Sequence, residues 1–402
     1  MNDSLTDSHP APSKQAGIRD DSPRAARVLV VVPLLAVGGA EKHIATVYPR
    51  LRASGFDIRI VTARPQAVLD QGLRDAGVPV FNTHAWRPSP LRQLAACINI
   101  GRQIRSWRPD IVHFFLPEAY ILGGLTAWLL RHPRLTMSRR SLNNYQFGRP
   151  WVARLEKFLH RRMTALVANS DAVRHELSAE GVPDTRLHVI RNGVPDEMFD
   201  PIPKAQARAK LDLSDEALVM TCVANLIPYK GHADLIDALA LCADAMPDDW
   251  RLLLAGRDDG IGTTLEAQAT QAGIASHIRF LGGQANIADV LASSDLGLLC
   301  SHQEGSPNSV LESMAAGLPM VVTDAGGTAE AVADGVTGLV APMNDSSAIA
   351  TAIRTLVRDP ARRAAMGQAG QARARELHSL EACTNAYTRL YEMLLEAKGH
   401  AS

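Results

Sequence analysis

Two glutamates eight residues apart carry the strongest chemical signal in the sequence, within the segment Cys300–Glu330, CSHQEGSPNSVLESMAAGLPMVVTDAGGTAE. Glu304 leaves an apolar run that reads as a strand and enters a loop of Gly305, Ser306 and Pro307. A helix is expected to begin near Asn308 and Ser309, and Glu312 lies inside it. Backbone N–H groups at such a loop and helix start attract anions. A carboxylate on the loop does not bind phosphate itself, but it can hold the hydroxyls of a sugar beside it. A carboxylate within the helix can accept both hydroxyls of a ribose, as acidic residues do in other nucleotide sites. The alternative is a capped surface helix carrying two solvated glutamates. The order strand, loop, helix, AAGLP, strand and GGTAE favours the ligand site over that alternative.

A second segment, VANLIPYKGH over 223–232, follows an apolar run and precedes a helical pattern. Lys230 is expected on a loop beyond the carboxyl edge of a sheet. An ammonium there neutralises a diphosphate leaving group as its charge develops. A third segment, Gly38-Gly39-Ala40-Glu41, follows the first apolar run. It is not the GxGxxG pattern of dinucleotide sites, which disfavours a nicotinamide dehydrogenase. Gly39 lets the backbone approach a diphosphate or sugar closely, and a tight turn alone is the competing explanation. No Asp-x-Asp pair occurs in a plausible loop. Asp248-Asp249 and Asp258-Asp259 are adjacent pairs followed by Trp and Gly, so no metal is expected.

These segments need a scaffold. Arg27–Pro33 (RVLVVVP) is a β-branched run of the kind that forms a strand buried on both faces. Further strands are expected at Asp57–Thr62, Val78–Phe81, Ile111–Phe115, Leu135–Ser138 and Leu166–Ala168, separated by helical sequence. The Pro-rich stretch Asn192–Pro203 interrupts the rhythm and reads as a linker. Strands then resume at Ala217–Val223, Arg251–Ala255, His277–Leu281, Asp295–Cys300, Pro319–Thr323 and Thr337–Ala341. Strand–helix alternation predicts an α/β protein of two doubly wound parallel-sheet domains facing a cleft. The expected organisation is a disordered tail over 1–24, one domain over 25–198 and a second over 199–380. A final helix over 381–402 is expected to return toward the first domain.

The 402 residues are 46% hydrophobic and 21% charged, a balance that excludes a wholly disordered or disulfide-framework protein. Lys plus Arg and Asp plus Glu both number 42, so no overall electrostatic footprint for nucleic acid is present. The balance conceals an asymmetry. Residues 1–200 hold 27 basic and 18 acidic side chains, and residues 201–402 hold 15 and 24. Five dispersed cysteines, Cys97, Cys222, Cys242, Cys300 and Cys383, read as free thiols of a reducing compartment. The apolar runs at 28–40 and 119–130 are too short to span a bilayer, and no secretory signal is evident. A cytoplasmic location is the expectation.

VGGAE at 37–41, RNGV at 191–194, ANLIPYKGH at 224–232 and EGSPNSVLESMAAGLP at 304–319 together resemble retaining glycosyltransferases of the GT-B fold. The resemblance is to the large group 1 family, which includes sucrose synthases and bacterial mannosyl- and N-acetylhexosaminyltransferases. It runs from about Arg27 to the end of the chain and is most specific over 216–341. It implies a hexosyl transfer from a nucleotide-diphosphate sugar to a glycan or lipid-linked acceptor, in cell-surface polysaccharide or glycolipid assembly. By the same resemblance Glu304 contacts the transferred sugar, Glu312 the ribose and Lys230 the diphosphate. Asn225 stands where relatives carry the first cation of the diphosphate clamp, with Arg257 and Arg191 as candidate replacements. Phe115 stands where many relatives carry a histidine near the reacting sugar, and His113 reads as a structural residue. Sugar-nucleotide 2-epimerases share the double-domain architecture, and a non-catalytic relative is a further alternative.

The window 131–162 is the basic extreme, with nine Arg or Lys side chains against Glu156 alone. Within it, PWVARLEKFLHRRM predicts an amphipathic helix. Trp151, Arg154, Lys157, Phe158, Arg161 and Arg162 are the expected contacts with an anionic membrane surface. Glu118, Arg139 and Arg140 are further candidate contacts with the acceptor or the membrane. A solvated surface face is the alternative for the helix.

Overall fold

β-Branched runs with no polar alternation cannot expose either face, so they collect into sheets covered by helices on both sides. The computed structural model describes residues 24–36, 38–65, 67–83 and 90–396, and it contains two such sheets. The first is formed by β1 (Arg27–Val32), β2 (Asp57–Thr62), β3 (Val80–Phe81), β4 (Ile111–Phe115), β5 (Leu135–Arg139), β6 (Ala165–Ala168) and β7 (Leu187–Val189). Its order is β3-β2-β1-β4-β5-β6-β7, all pairs parallel. The second is formed by β8 (Leu218–Val223), β9 (Trp250–Ala255), β10 (Ile278–Gly282), β11 (Leu296–Leu299), β12 (Met320–Thr323) and β13 (Gly338–Ala341). Its order is β10-β9-β8-β11-β12-β13, again parallel throughout. The fold is α/β with two Rossmann-like units. The edge strand β7 is the one strand absent from the expected set, because three residues (Leu-His-Val) carry no readable periodicity.

Helices Pro90–Trp107, Pro117–Leu129, Pro150–His160 and Asp171–Ala179 form one layer over the first sheet, with Ile104, Trp107, Tyr120, Leu159 and Val173 in a shared core. Helix Gly39–Ala53 covers the opposite face together with the last helix, Leu380–Glu396. Tyr387 and Tyr391 of that last helix are fully buried beside Tyr48 and His43. The chain therefore crosses between the units twice. The crossings are tied side by side: Val194 N–H donates to the His378 carbonyl at 2.7 Å, and Leu380 N–H to the Val194 carbonyl at 3.1 Å. Of the tail expected over 1–24, all but Arg24 lies outside the described residues. All five cysteines are free thiols, four of them buried.

Candidate active site

In an open parallel sheet, ligands bind beyond the strand carboxyl ends where the strand order reverses. The reversal falls between β1 and β4 in the first sheet and between β8 and β11 in the second. Each segment with chemical potential leaves one of those four strands. Gly39–Glu41 follows β1, Leu116 follows β4, Lys230 follows β8 and Glu304 follows β11. The two ends face each other across a cleft of about 630 Å³. Gly39, Arg140, Lys230, Glu304 and the Gly305–Ser309 run are among the residues that line it. Leu116 holds φ 67° and ψ 149° in the cleft wall, a strained geometry for a branched residue placed before Pro117.

The floor of the cleft is an ion pair. The Lys230 ammonium donates to Glu304 Oε1 at 2.6 Å, and the Ser301 hydroxyl donates to the same oxygen at 2.7 Å. Both side chains of the pair are largely withdrawn from solvent. Lys230 ends a short 3-10 turn that Gly231 closes at φ +68°. A Cβ on Gly231 would lie 1.8 Å from the Cys300 carbonyl oxygen, so only glycine lets the Lys230 loop lie against the end of β11. The His302 N–H donates to the Tyr229 carbonyl at 2.8 Å and binds the two loops together. Helix Asn308–Ala315 starts directly after the loop, and its first residues, Asn308 and Ser309, line the cleft, where a helix N-terminus favours an anion.

Glu312 sits one turn into that helix, half-buried, and does not line the main volume. Burial raises its carboxyl above the ordinary range, and Lys42 of the first domain partly offsets this. Asn225 does not line the cleft, and its side chain accepts from the Arg257 N–H at 3.2 Å. Neither candidate replacement cation reaches in: Arg257 is paired with Asp259 and Arg191 with Asp171. The second cation in the cleft is Arg140, from the first domain. It donates to Asn192 Oδ1, and the Asn192 amide donates to Ser306 O at 3.2 Å and to Asn308 Oδ1 at 2.5 Å. Asn192 was not expected as a site residue, although RNGV marked its segment. The signal available was an asparagine at a domain crossing, where a side chain can bond both units.

Comparison with known proteins bears on this arrangement. Residues 37–198 match the model for Glycosyltransferase Family 4, and residues 203–373 match that for Glycosyl transferases group 1. A lipopolysaccharide core biosynthesis mannosyltransferase, LpsB of Rhizobium meliloti, is 32% identical over 302 residues, covering 73% of this chain and 81% of that protein. The chain belongs to the group 1 glycosyltransferases. A D-inositol 3-phosphate glycosyltransferase of Gordonia bronchialis is 26% identical over 409 residues, covering 95% of this chain and 87% of the relative. HepE of Anabaena in complex with UDP shares the fold, with a TM-score of 0.80 at 23% identity over 91% of this chain and 100% of that one.

Several basic-window expectations for this glycosyltransferase need correction. Arg139 does not face an acceptor or a membrane. It is 4% exposed and donates to both oxygens of Glu180, at 2.6 and 2.9 Å, and to Glu156 at 3.2 Å. Burial works against the Glu180 carboxylate, but hydrogen bonds from His160 and Arg139 hold its pKa down to about 2. The arginine is needed because two carboxylates are buried there, and an unpaired buried charge is costly. Glu118 is not free for an acceptor, since it pairs with Arg64. Phe158 does not project for insertion. Its ring packs edge-on against Trp128 at 5.2 Å, and Arg162 covers both rings. Trp151, Arg154, Lys157 and Arg161 are exposed as expected, and so is Arg162. His113 is a structural residue: fully buried on β4, it bonds Tyr391 Oη at 2.7 Å, Tyr48 Oη at 3.1 Å and Ser138 Oγ at 2.8 Å. Burial and the Arg140 charge push its pKa down to about 3, so it is neutral at pH 7.

Proposed function

We propose that this glycosyltransferase moves a hexosyl unit from a nucleotide-diphosphate sugar to a glycan or lipid-linked acceptor, with retention at the anomeric carbon and without a metal ion. The observation that carries the reading is the Lys230–Glu304 pair at the floor of the interdomain cleft. In transfer, the acceptor hydroxyl forms a bond to the anomeric carbon as the bond to the diphosphate oxygen breaks. The acceptor proton leaves with the nucleotide diphosphate. Negative charge grows on the leaving group, and Lys230 with the N–H groups at the start of helix Asn308–Ala315 takes it up. These steps follow donor binding, in which Glu304 turns from the lysine to the hydroxyls of the sugar and Glu312 receives the ribose. Retention requires the acceptor to arrive on the face that the diphosphate leaves. The UDP complex of the Anabaena neighbour supports a nucleotide-sugar donor, and the mannosyltransferase relative supports a glycolipid acceptor. Among the described residues, no group of three His, Cys, Asp or Glu side chains is arranged to hold a metal.

The test is a panel of nucleotide sugars assayed with excess EDTA, with products identified by mass spectrometry and their anomeric configuration by NMR. Retained glycosidic product formed at undiminished rate in EDTA supports the proposal. Inverted product, epimerised free sugar, or turnover restored only by magnesium or manganese overturns the corresponding part.

The first domain also supports docking on an anionic bilayer, cytoplasmic leaflet included, as part of the same reading. Helix Pro90–Trp107 leaves Leu91, Leu94 and Ile98 exposed by 75%, 57% and 54%. Helical spacing puts Arg102 and Arg105 on that same stripe, and both are exposed. Across residues 90–163 there are only three acidic side chains, Asp110, Glu118 and Glu156, and each is paired with arginine. The exposed stripe of helix Pro90–Trp107 is thus apolar and cationic, which complements an anionic lipid surface. Among the described residues no helix is long and apolar enough to cross a membrane, so contact would be peripheral. Leu94→Glu with Ile98→Glu is expected to lower co-sedimentation with phosphatidylglycerol vesicles by about tenfold or more, since each buried leucine or isoleucine is worth roughly 1.5–3 kcal/mol. Equal recovery of wild type with neutral and anionic vesicles would return the stripe to a solvated surface.

A further inference from the structure

The GGTAE motif at 326–330 ends in a carboxylate for which the transfer chemistry supplies no role, and the structure gives it a partner in the opposite domain. Helix Asp171–Ala179 belongs to the first unit. Its first intrahelical bond runs from Arg174 N–H to the Ser170 carbonyl, which leaves the N–H groups of Asp171, Ala172 and Val173 without helical acceptors. Ser170 Oγ accepts from Val173 at 3.2 Å. The other two are taken across the domain boundary. Glu330 Oε2 accepts from Asp171 N–H at 2.7 Å, and Oε1 accepts from Ala172 N–H at 2.6 Å.

We propose that Glu330 is a positioning residue that holds the cleft closed, its carboxylate completing the N-terminal cap of the opposite domain's helix. Three features support it. A carboxylate at a helix N-terminus gains from both charge-assisted hydrogen bonds and the helix dipole. The carboxylate is rigidly presented: Glu330 lies in a single helical turn, Thr328–Ala331, and Arg373 donates to the carbonyls of Glu330 and Ala331 at 3.1 Å each. The turn is also tied to the cleft floor, because Gly327 N–H donates to the Glu304 carbonyl at 3.1 Å. Closing the cap therefore seats the Glu304 loop against the first domain. There Gly305 lies so close that a Cβ would stand 2.9 Å from the Arg140 carbonyl oxygen. Among the described residues the chain itself passes between the units at Val194 and Leu380, so closure draws on side-chain contacts across the cleft, those of Asn192 and of Glu330 among them.

The proposal depends on the transferase reading for its kinetic arm alone. Glu330→Gln keeps the shape but turns an amide NH2 toward one of the two donors. Asp171→Pro removes one donor from the other side. Proline suits the first position of a helix, and Ser170 at φ −154°, ψ 164° is already in the conformation favoured before proline. Asp171→Ala is the control, since it removes the Arg191 pair but keeps the N–H. Small-angle X-ray scattering of the ligand-free protein is expected to show a larger radius of gyration for Glu330→Gln and for Asp171→Pro, and none for Asp171→Ala. Each of the first two is expected to lower kcat/KM about tenfold, and the double variant no further than the single ones. An unchanged radius with all variants folded by circular dichroism overturns the proposal. So does an additive loss in the double variant, or a loss in thermal stability with kcat/KM intact.

Discussion

Replacing Lys230 by alanine is expected to lower kcat/KM for transfer by roughly two to three orders of magnitude, the cost of removing one preorganised group from a developing oxyanion. The variant should fold, because Lys230 ends a short turn at the cleft and lies outside the hydrophobic cores. It removes two things together. The leaving group of the proposed transfer loses its cation from the second domain, and among the described residues the buried Glu304 carboxylate is left with the Ser301 hydroxyl. Lys230→Arg should recover part of the rate, since charge returns but the point-like ammonium does not. The measurement is initial transfer rate with circular dichroism as the folding control. An alanine variant within threefold of wild type would remove Lys230 from the mechanism and leave Arg140 as the diphosphate cation.

Glu304 and Glu312 should fail in opposite ways. Glu304→Ala is expected to reduce transfer by two orders of magnitude or more while leaving the affinity for the bare nucleotide diphosphate nearly unchanged. Glu312→Ala should weaken that affinity by about tenfold to a hundredfold, the value of charged hydrogen bonds at roughly 1.5–3 kcal/mol. Isothermal calorimetry with UDP and GDP, beside transfer kinetics, separates the two. The geometry motivates the contrast: Glu304 stands in the cleft on the lysine, whereas Glu312 is set back in the helix without lining the main volume. Reversal of the two affinities would exchange their roles.

Glu304 and Lys230 were legible together because each closes an apolar run, and the carboxyl ends of parallel strands converge on one crevice. No contact between them could be read, since 74 residues separate them. Arg139 shows the opposite case. In sequence it is one of nine cations in a basic window, indistinguishable from Arg140 beside it. β5 ends on Arg139, whose side chain enters a buried cluster with Glu156 and Glu180, while Arg140, the first residue past the strand, reaches the cleft. Their position at the very end of the strand decided which arginine is buried and which lines the cleft.

The sequence by itself determined the two α/β units, twelve of the thirteen strands and the convergence of Glu304 and Lys230 on one cleft. All of these are written in local patterns: β-branched runs, glycine and proline punctuation, and the spacing of charges along a few turns. Only the tertiary structure decided that Asn192 bridges the domains, that the last helix seals the first sheet with Tyr387 and Tyr391, and that Glu330 caps a helix 159 residues earlier in the chain. Those contacts join residues of unremarkable type across long separations. Their free energy comes from desolvated partners meeting at set distances, which no local window of residues encodes.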